Sequence, residues 1–159
     1  MIRVLVFDID GVLTDGRVSM DEDGREVKSL HYHDIDAIFE AHRQGFTLAF
    51  LTGEDTPLVS VIAKRVDIVH IYRKAKDKSE AMLKLSTDLN VSLKEIMYVG
   101  DSLRDADALA MVGLGLAPAD ADESARKAAN KVLEHLGGAG AVNEAVRYVI
   151  KLNGKVQEE

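Results

Sequence analysis

The stretch that most limits what this chain can fold into is its first apolar run, Ile2 to Phe7, which stops at Asp8-Ile9-Asp10-Gly11-Val12-Leu13-Thr14-Asp15-Gly16. A short continuous apolar run ended by turn residues reads as a strand buried on both faces, as in parallel sheets covered by helices. Such sheets gather their chemistry outside the carboxyl ends of the strands. Alternation puts Asp8 and Asp10 on the same side and turns Ile9 toward the core, so the two carboxylates can share one metal ion or one substrate group. One can attack while the other moves protons. Alone, an Asp before Gly is also ordinary turn chemistry, and the pair gains meaning only from the ends of the later strands.

Three later strand ends repeat the pattern. Leu48 to Leu51 runs into Thr52-Gly53, a short strand from Ile68 to Tyr72 is followed by Lys78, and Ile96 to Val99 runs into Gly100-Asp101-Ser102-Leu103-Arg104-Asp105. Helical spacing separates them over Asp36 to Arg43, Asp55 to Arg65 and Ser79 to Leu89, and resumes near Asp122 to Ala129 and Val142 to Lys151. Gly113 to Ala117 reads as a fifth core strand. Strands alternating with helices predict the α/β class, a doubly wound parallel sheet, in a single domain over residues 1–159. A hydrophobic content of 47% is enough for a core at this length. The chain has no cysteine, which excludes disulfides and thiolate metal sites. With no hydrophobic targeting or spanning segment, a cytoplasmic, membrane-free protein is expected. A net charge of -7 argues against broad binding of nucleic acid, yet leaves anionic small substrates open, since a metal and local bases can dominate a site.

Arg17 to Met20 and Glu26 to His31 read as strands joined by the turn Asp21-Glu22-Asp23-Gly24, a hairpin over about residues 16–34. It is a surface ribbon or, because it leaves from the acid loop and returns at His33-Asp34, a flap over the site. His31, His33, Asp34 and Asp36 cluster in sequence but do not nominate a tetrahedral zinc set. His33 and Asp34 are expected to touch substrate at the foot of the flap, the plainer alternative being a helix start capped by Asp34. Thr52 and the Gly53 amide can donate to phosphoryl oxygens, or Thr52 can simply open the next helix. Most of the run Arg73-Lys74-Ala75-Lys76-Asp77-Lys78, which stands before the helix from Ser79, reads as a solvated face. Gly137-Gly138-Ala139-Gly140 opens the last helix and reads as a phosphate cradle or a linker.

Taken together, DIDGVLTDG, LTGE, Lys78 and GDSLRD resemble the four motifs of the haloacid dehalogenase superfamily of phosphotransferases, over nearly the whole chain. The short length, the second Asp-Gly at Asp15-Gly16 and the late GGAGAV stretch resemble the small phosphatases of 3-deoxy-2-ulosonic acid phosphates within it. This resemblance implies a Rossmann-like fold with a β-hairpin flap and no large cap domain, and a homotetramer in which neighbouring subunits close the site. It implies Mg²⁺ held by the Asp8 carboxylate, the Asp10 main-chain carbonyl and the Asp101 carboxylate, with Asp105 and Ser102 behind them. Asp8 would then form an aspartyl-phosphate, Asp10 would serve as acid and base, and Thr52 and Lys78 would bind the transferring group, Lys78 by its match at the helix start to the superfamily lysine, with Lys76 as the substitute if the register slips by two. The implied partner is a small-molecule sugar-acid phosphate, 3-deoxy-D-manno-octulosonate 8-phosphate.

The chain departs from that family where Arg-Asp-Gly-x-Gly is replaced by His33-Asp34-Ile35-Asp36-Ala37, Thr-Gly-Arg by Thr52-Gly53-Glu54, an Asp by Ser102, and an Arg between the late glycines by Ala139. Glu54, with Arg65 one helix further on, resembles relatives acting on nine-carbon ulosonate 9-phosphates, which makes those the alternative substrates. Asn153-Gly154-Lys155 resembles a tail that reaches a neighbour's site. A signalling receiver domain would use similar residues, but there the phosphorylated Asp follows a middle strand, whereas Asp8 ends the first. A non-catalytic interaction module is disfavoured because every catalytic position is filled.

Overall fold

The computed structural model describes residues 1–157. Its central strand, β1 (Val4–Phe7), is buried at all four positions, and that burial is why these four residues are all apolar while Arg3 stands just before them. It lies parallel between β4 (Thr47–Leu51) and β6 (Ile96–Val99), with Val4 opposite Thr47 and Ile96 and Phe7 opposite Phe50 and Val99. With β5 (His70–Tyr72), β7 (Leu114–Ala117) and β8 (Lys131–Val132) they form a six-stranded sheet in the order β5-β4-β1-β6-β7-β8, parallel throughout. The chain builds outward from β1 in one direction, then returns to build outward in the other. A crevice opens where the winding reverses, at the tips of β1, β4 and β6.

Alternate side chains of the strands feed two apolar layers. Leu5, Phe7, Leu48, Phe50, Met97 and Val99 pack against α1 (Tyr32–Arg43), α2 (Pro57–Arg65) and α6 (Ala141–Gln157). Val4, Val6, Ala49, Leu51, Ile96 and Tyr98 pack against α3 (Lys78–Asp88), α4 (Ala106–Met111) and α5 (Glu123–Ala128). The doubly wound α/β sheet expected from the sequence is therefore the one observed. Among the described residues no helix is long and apolar enough to cross a membrane.

Local boundaries differ from the sequence expectation where side chains capture backbone groups. The hairpin strands are only β2 (Ser19–Met20) and β3 (Glu26–Val27), because Asp21 Oδ1 takes the amides of Asp23 and Arg25 and makes most of the ribbon turn. The helix expected from Asp36 begins at Tyr32, capped by His31, whose Nδ1 accepts the His33 N–H at 3.1 Å. The Asn153 region is not a free tail but part of α6, and its amide clamps Ile2 through both backbone groups, at 3.0 Å and 2.8 Å.

Asp34 corrects the expectation of a substrate contact. It is fully buried, and its Oδ1 and Oδ2 accept the N–H groups of Asn143 and Gly140 at 2.9 and 3.3 Å. The first amides of α6 have no partner within their own helix, and a carboxylate from α1 supplies one. Burial raises the Asp34 pKa, and the two amide bonds counter that rise. Asp34→Ala strands two buried donors at a cost of about 2–4 kcal/mol, which scanning calorimetry should read as a midpoint lowered by roughly 10 °C. An unchanged midpoint with a raised KM would return Asp34 to the substrate.

Candidate active site

Beyond Phe7 the chain leaves the sheet in a tight loop, in which the amides of Val12, Leu13 and Thr14 all donate to the Ile9 carbonyl while Ile9, Val12 and Leu13 are buried. Gly11 sits at φ +82°, and a side chain there would collide with the Asp101 carboxylate, so glycine is what lets the tips of β1 and β6 come together. The Gly137–Gly140 stretch lies beneath this loop. Gly138 N–H donates to the Val12 carbonyl at 3.0 Å and Gly137 N–H to Asp120 Oδ1 at 3.0 Å, while Ala139 and Gly140 donate to the Leu136 carbonyl and to Asp34. With its amides spent on protein acceptors, the glycine-rich stretch is neither an anion cradle nor a linker. It is the seat of the acid loop.

Lys78 opens α3 at the bottom of the cleft, buried to 4% exposure. Its ammonium lies 3.0 Å from Asp105 Oδ1, 3.2 Å from the Leu51 carbonyl, 3.4 Å from the Tyr98 hydroxyl and 3.5 Å from Asp8 Oδ2. Asp105 is saturated. Tyr98 donates to its Oδ1, and its Oδ2 accepts the Asp101 and Ser102 amides at 2.9 and 3.1 Å and the Ser102 hydroxyl at 3.3 Å. Burial alone would raise the Asp105 pKa, but the Lys78 ammonium and these hydrogen bonds hold it below the usual carboxylate range. Tyr98, buried among Asp8 and Asp105, is pushed well above an ordinary phenol.

Asp8, Asp101 and Asp105 each bring one oxygen to within 4.8 Å of the others. Burial raises Asp8 well above its ordinary pKa against the pull of Lys78, and burial with the nearby Asp105 charge brings Asp101 to about 7. These carboxylates are crowded in a way that a bound cation relieves. Since Asp105 has no free oxygen, Asp8 and Asp101 are the ones able to serve as carboxylate ligands. Asp10 lines the same cleft but points its carboxylate elsewhere, Oδ1 lying 2.8 Å from Lys28 Nζ and accepting the Thr14 hydroxyl at 3.4 Å. Thr52 is buried, with its Oγ1 accepting the Glu54 N–H at 3.2 Å, and Gly53 and Glu54 continue along the cleft wall.

The structure thus brings Asp8, Asp10, Thr52, Gly53, Glu54, Lys78, Asp101 and Ser102 to one cleft, with Asp105 directly behind. It does not bring in Arg65, which ends α2, a helix that starts near Glu54 and runs away from it for about 13 Å. His33 is exposed beside His31 at the start of α1 and is not among the cleft-lining residues. Two residues were missed. Lys28 follows the exposed Val27 on the hairpin, so alternation should have turned it inward, toward the acids. Arg104 lies in the turn Leu103–Asp105 and lines the cleft mouth, a position that spacing within GDSLRD alone does not reveal.

A strand-tip acid pair, a hydroxyl, a buried lysine and a second acid cluster, arranged on this sheet order, define a phosphoryl-transfer hydrolase of doubly wound fold. A family model described as haloacid dehalogenase-like hydrolase matches residues 55–146, and the chain belongs to that family. It is 34% identical over 157 residues to the 3-deoxy-D-manno-octulosonate 8-phosphate phosphatase KdsC of Salmonella typhi, covering 99% of this chain and 84% of that one. The solved phosphatase of that name from Moraxella catarrhalis, in complex with magnesium, phosphate and KDO, superimposes with a TM-score of 0.91 at 30% identity, over 94% of this chain and 86% of that one. The cobalt-bound deoxy-D-mannose-octulosonate 8-phosphate phosphatase of Haemophilus influenzae gives a TM-score of 0.91 at 30% identity, over 97% and 90%.

Removing Asp105 leaves Lys78, Tyr98 and the amides of Asp101 and Ser102 facing a hole. Asp105→Ala should cost about 3–5 kcal/mol and lower the thermal midpoint by roughly 10–15 °C. A midpoint within a degree of the parent would mean that the buried pair does not hold the β6 tip.

Proposed function

We propose that this protein is a cytoplasmic Mg²⁺-dependent phosphomonoesterase acting on 3-deoxy-D-manno-octulosonate 8-phosphate. The observation that carries this reading is the cluster at the tips of β1 and β6, where Asp8, Asp101 and Asp105 approach within 4.8 Å and Lys78 lies 3.5 Å from Asp8. The donor set consists of hard carboxylate oxygens, which suits Mg²⁺ and not zinc. Asp8 and Asp101 would hold the ion, with the Asp10 main-chain carbonyl as a further ligand. When bound, the ion neutralises charge on the phosphate and orients it. The names of the relatives and the molecules in the Moraxella catarrhalis complex support the substrate.

The place of each residue supports a role in that reaction. Asp8 attacks phosphorus in line and becomes the aspartyl-phosphate, and Asp10 gives a proton to the leaving sugar oxygen and later takes one from the hydrolytic water. Lys28 holds Asp10 in orientation from the hairpin. Lys78, set by Asp105 and Tyr98, offsets charge on the phosphoryl group, while Thr52 and the Gly53 amide steady its oxygens. Ser102 supports Asp105. Exposed Val18, Met20 and Val27 give the hairpin an apolar surface that fits burial against neighbouring copies, as a homotetramer would require. A nine-carbon ulosonate substrate keeps Glu54 in the cleft but loses Arg65 from the same subunit.

Phosphate release from the eight-carbon acid, nine-carbon ulosonate 9-phosphates, hexose phosphates and nucleoside phosphates tests the assignment. The eight-carbon acid should be preferred, and no turnover of any ulosonate phosphate would overturn the assignment. Asp8→Asn should lower kcat by at least about 1000-fold with the fold retained, and normal turnover would exclude it as the nucleophile. Chelation with EDTA should abolish release and added Mg²⁺ restore it. Full activity in EDTA would exclude the metal.

A further inference from the structure

Two cations line the cleft, and they are in opposite states. Lys78 is buried, with its ammonium committed to Asp105, Tyr98 and the Leu51 carbonyl beside Asp8. Arg104 is exposed at the mouth and, among the described residues, makes no ion pair and no side-chain hydrogen bond. Two further cations near the site are occupied: Lys28 by Asp10, and Arg73 by Asp55, Ser60 and the Thr56 carbonyl.

The position of the Arg104 guanidinium is defined by its approach to the second strand tip. A methyl group placed on Gly53 would lie 4.0 Å from Arg104 Nη1, so the side chain reaches from the turn after β6 across to the loop that carries Thr52 and Glu54. Of the other charged residues at the mouth, Glu54 repels an anion and Asp10 is paired with Lys28. A substrate with its phosphate at Asp8 and a second negative group further along therefore meets, in Arg104, an unpaired cation lining the cleft outside the phosphate pocket. The planar fork of an arginine matches a carboxylate, which it can hold through two parallel hydrogen bonds.

We propose that Arg104 binds the carboxylate of the sugar-acid substrate and is the residue by which this enzyme separates sugar-acid phosphates from neutral sugar phosphates. The proposal rests on the ulosonate reading above and names the contact that would enforce it. A guanidinium in this place acts on ground-state and transition-state binding alike, because the carboxylate is remote from the bond that breaks. Its loss should therefore appear mainly in KM.

The test compares kcat and KM for 3-deoxy-D-manno-octulosonate 8-phosphate and for a neutral hexose 6-phosphate in the parent, Arg104→Gln and Arg104→Lys, with thermal midpoints checked to show intact folding. In Arg104→Gln the acid-over-neutral ratio of kcat/KM should fall about 10- to 100-fold, the range for a charge-assisted pair, and Arg104→Lys should retain part of it. The free eight-carbon acid should also weaken as a competitive inhibitor of Arg104→Gln. Equal losses on both substrates would overturn the proposal by assigning Arg104 to the phosphate. A parent that prefers the acid, with a ratio unmoved by Arg104→Gln, would overturn the Arg104 contact alone. A parent indifferent to the carboxylate would overturn both this contact and the ulosonate reading.

Discussion

The active site depends on one buried ion pair, Lys78 with Asp105. Both are almost completely withdrawn from solvent, a position that neither charge could occupy without the other and without the Tyr98 hydroxyl, the Leu51 carbonyl and the amides of Asp101 and Ser102. That pair ties the start of α3 to the tip of β6. It fixes the ammonium beside Asp8 and turns the Asp101 backbone so that its carboxylate faces Asp8. The charge balance of the cleft is set by the same pair, since Lys78 is shared between Asp105 and Asp8 while Asp101 has no cationic partner among the described residues. The residual negative charge is what makes the place suited to a divalent cation.

The support around this pair comes from distant parts of the chain. The acid loop after β1 can be tight because Gly11 has no side chain to strike Asp101, and it is held from below by amides of the Gly137–Gly140 stretch. That stretch is in turn fixed by Asp34 and Asp120. Two acids that look available in the sequence are thus consumed as acceptors for backbone groups, leaving the reacting acids to the cleft.

What the sequence made legible was whatever depends on short-range pattern. Runs such as VLVF and IMYV mark strands buried on both faces, and the polar residues just past them fall at one sheet edge because parallel strands share a direction. Asp8, Asp10, Thr52, Lys78 and Asp101 could be placed on that basis. Asp34 could not, because its partners lie more than a hundred residues away and a buried acceptor looks like any acid near a helix start. Arg65 is absent from the cleft of its own subunit for a reason of direction: a residue late in the helix after a strand tip is carried away from the tip. Lys28 was missed although alternation after the exposed Val27 turns it inward, and Arg104 because the spacing within GDSLRD does not say which member of the turn faces the cleft.

The bonds between the acid loop and the Gly137–Gly140 stretch, and between Ile2 and Asn153, have a meaning for the order in which the molecule is made. The nucleophile is made well before the stretch that supports it. A growing chain can build β1, β4 and β6 yet has no seat for the Asp8 loop until the Gly137–Gly140 stretch has emerged. The catalytic geometry is therefore completed only once that stretch has been made, and a chain interrupted before it carries its reactive carboxylate without the scaffold that makes it reactive.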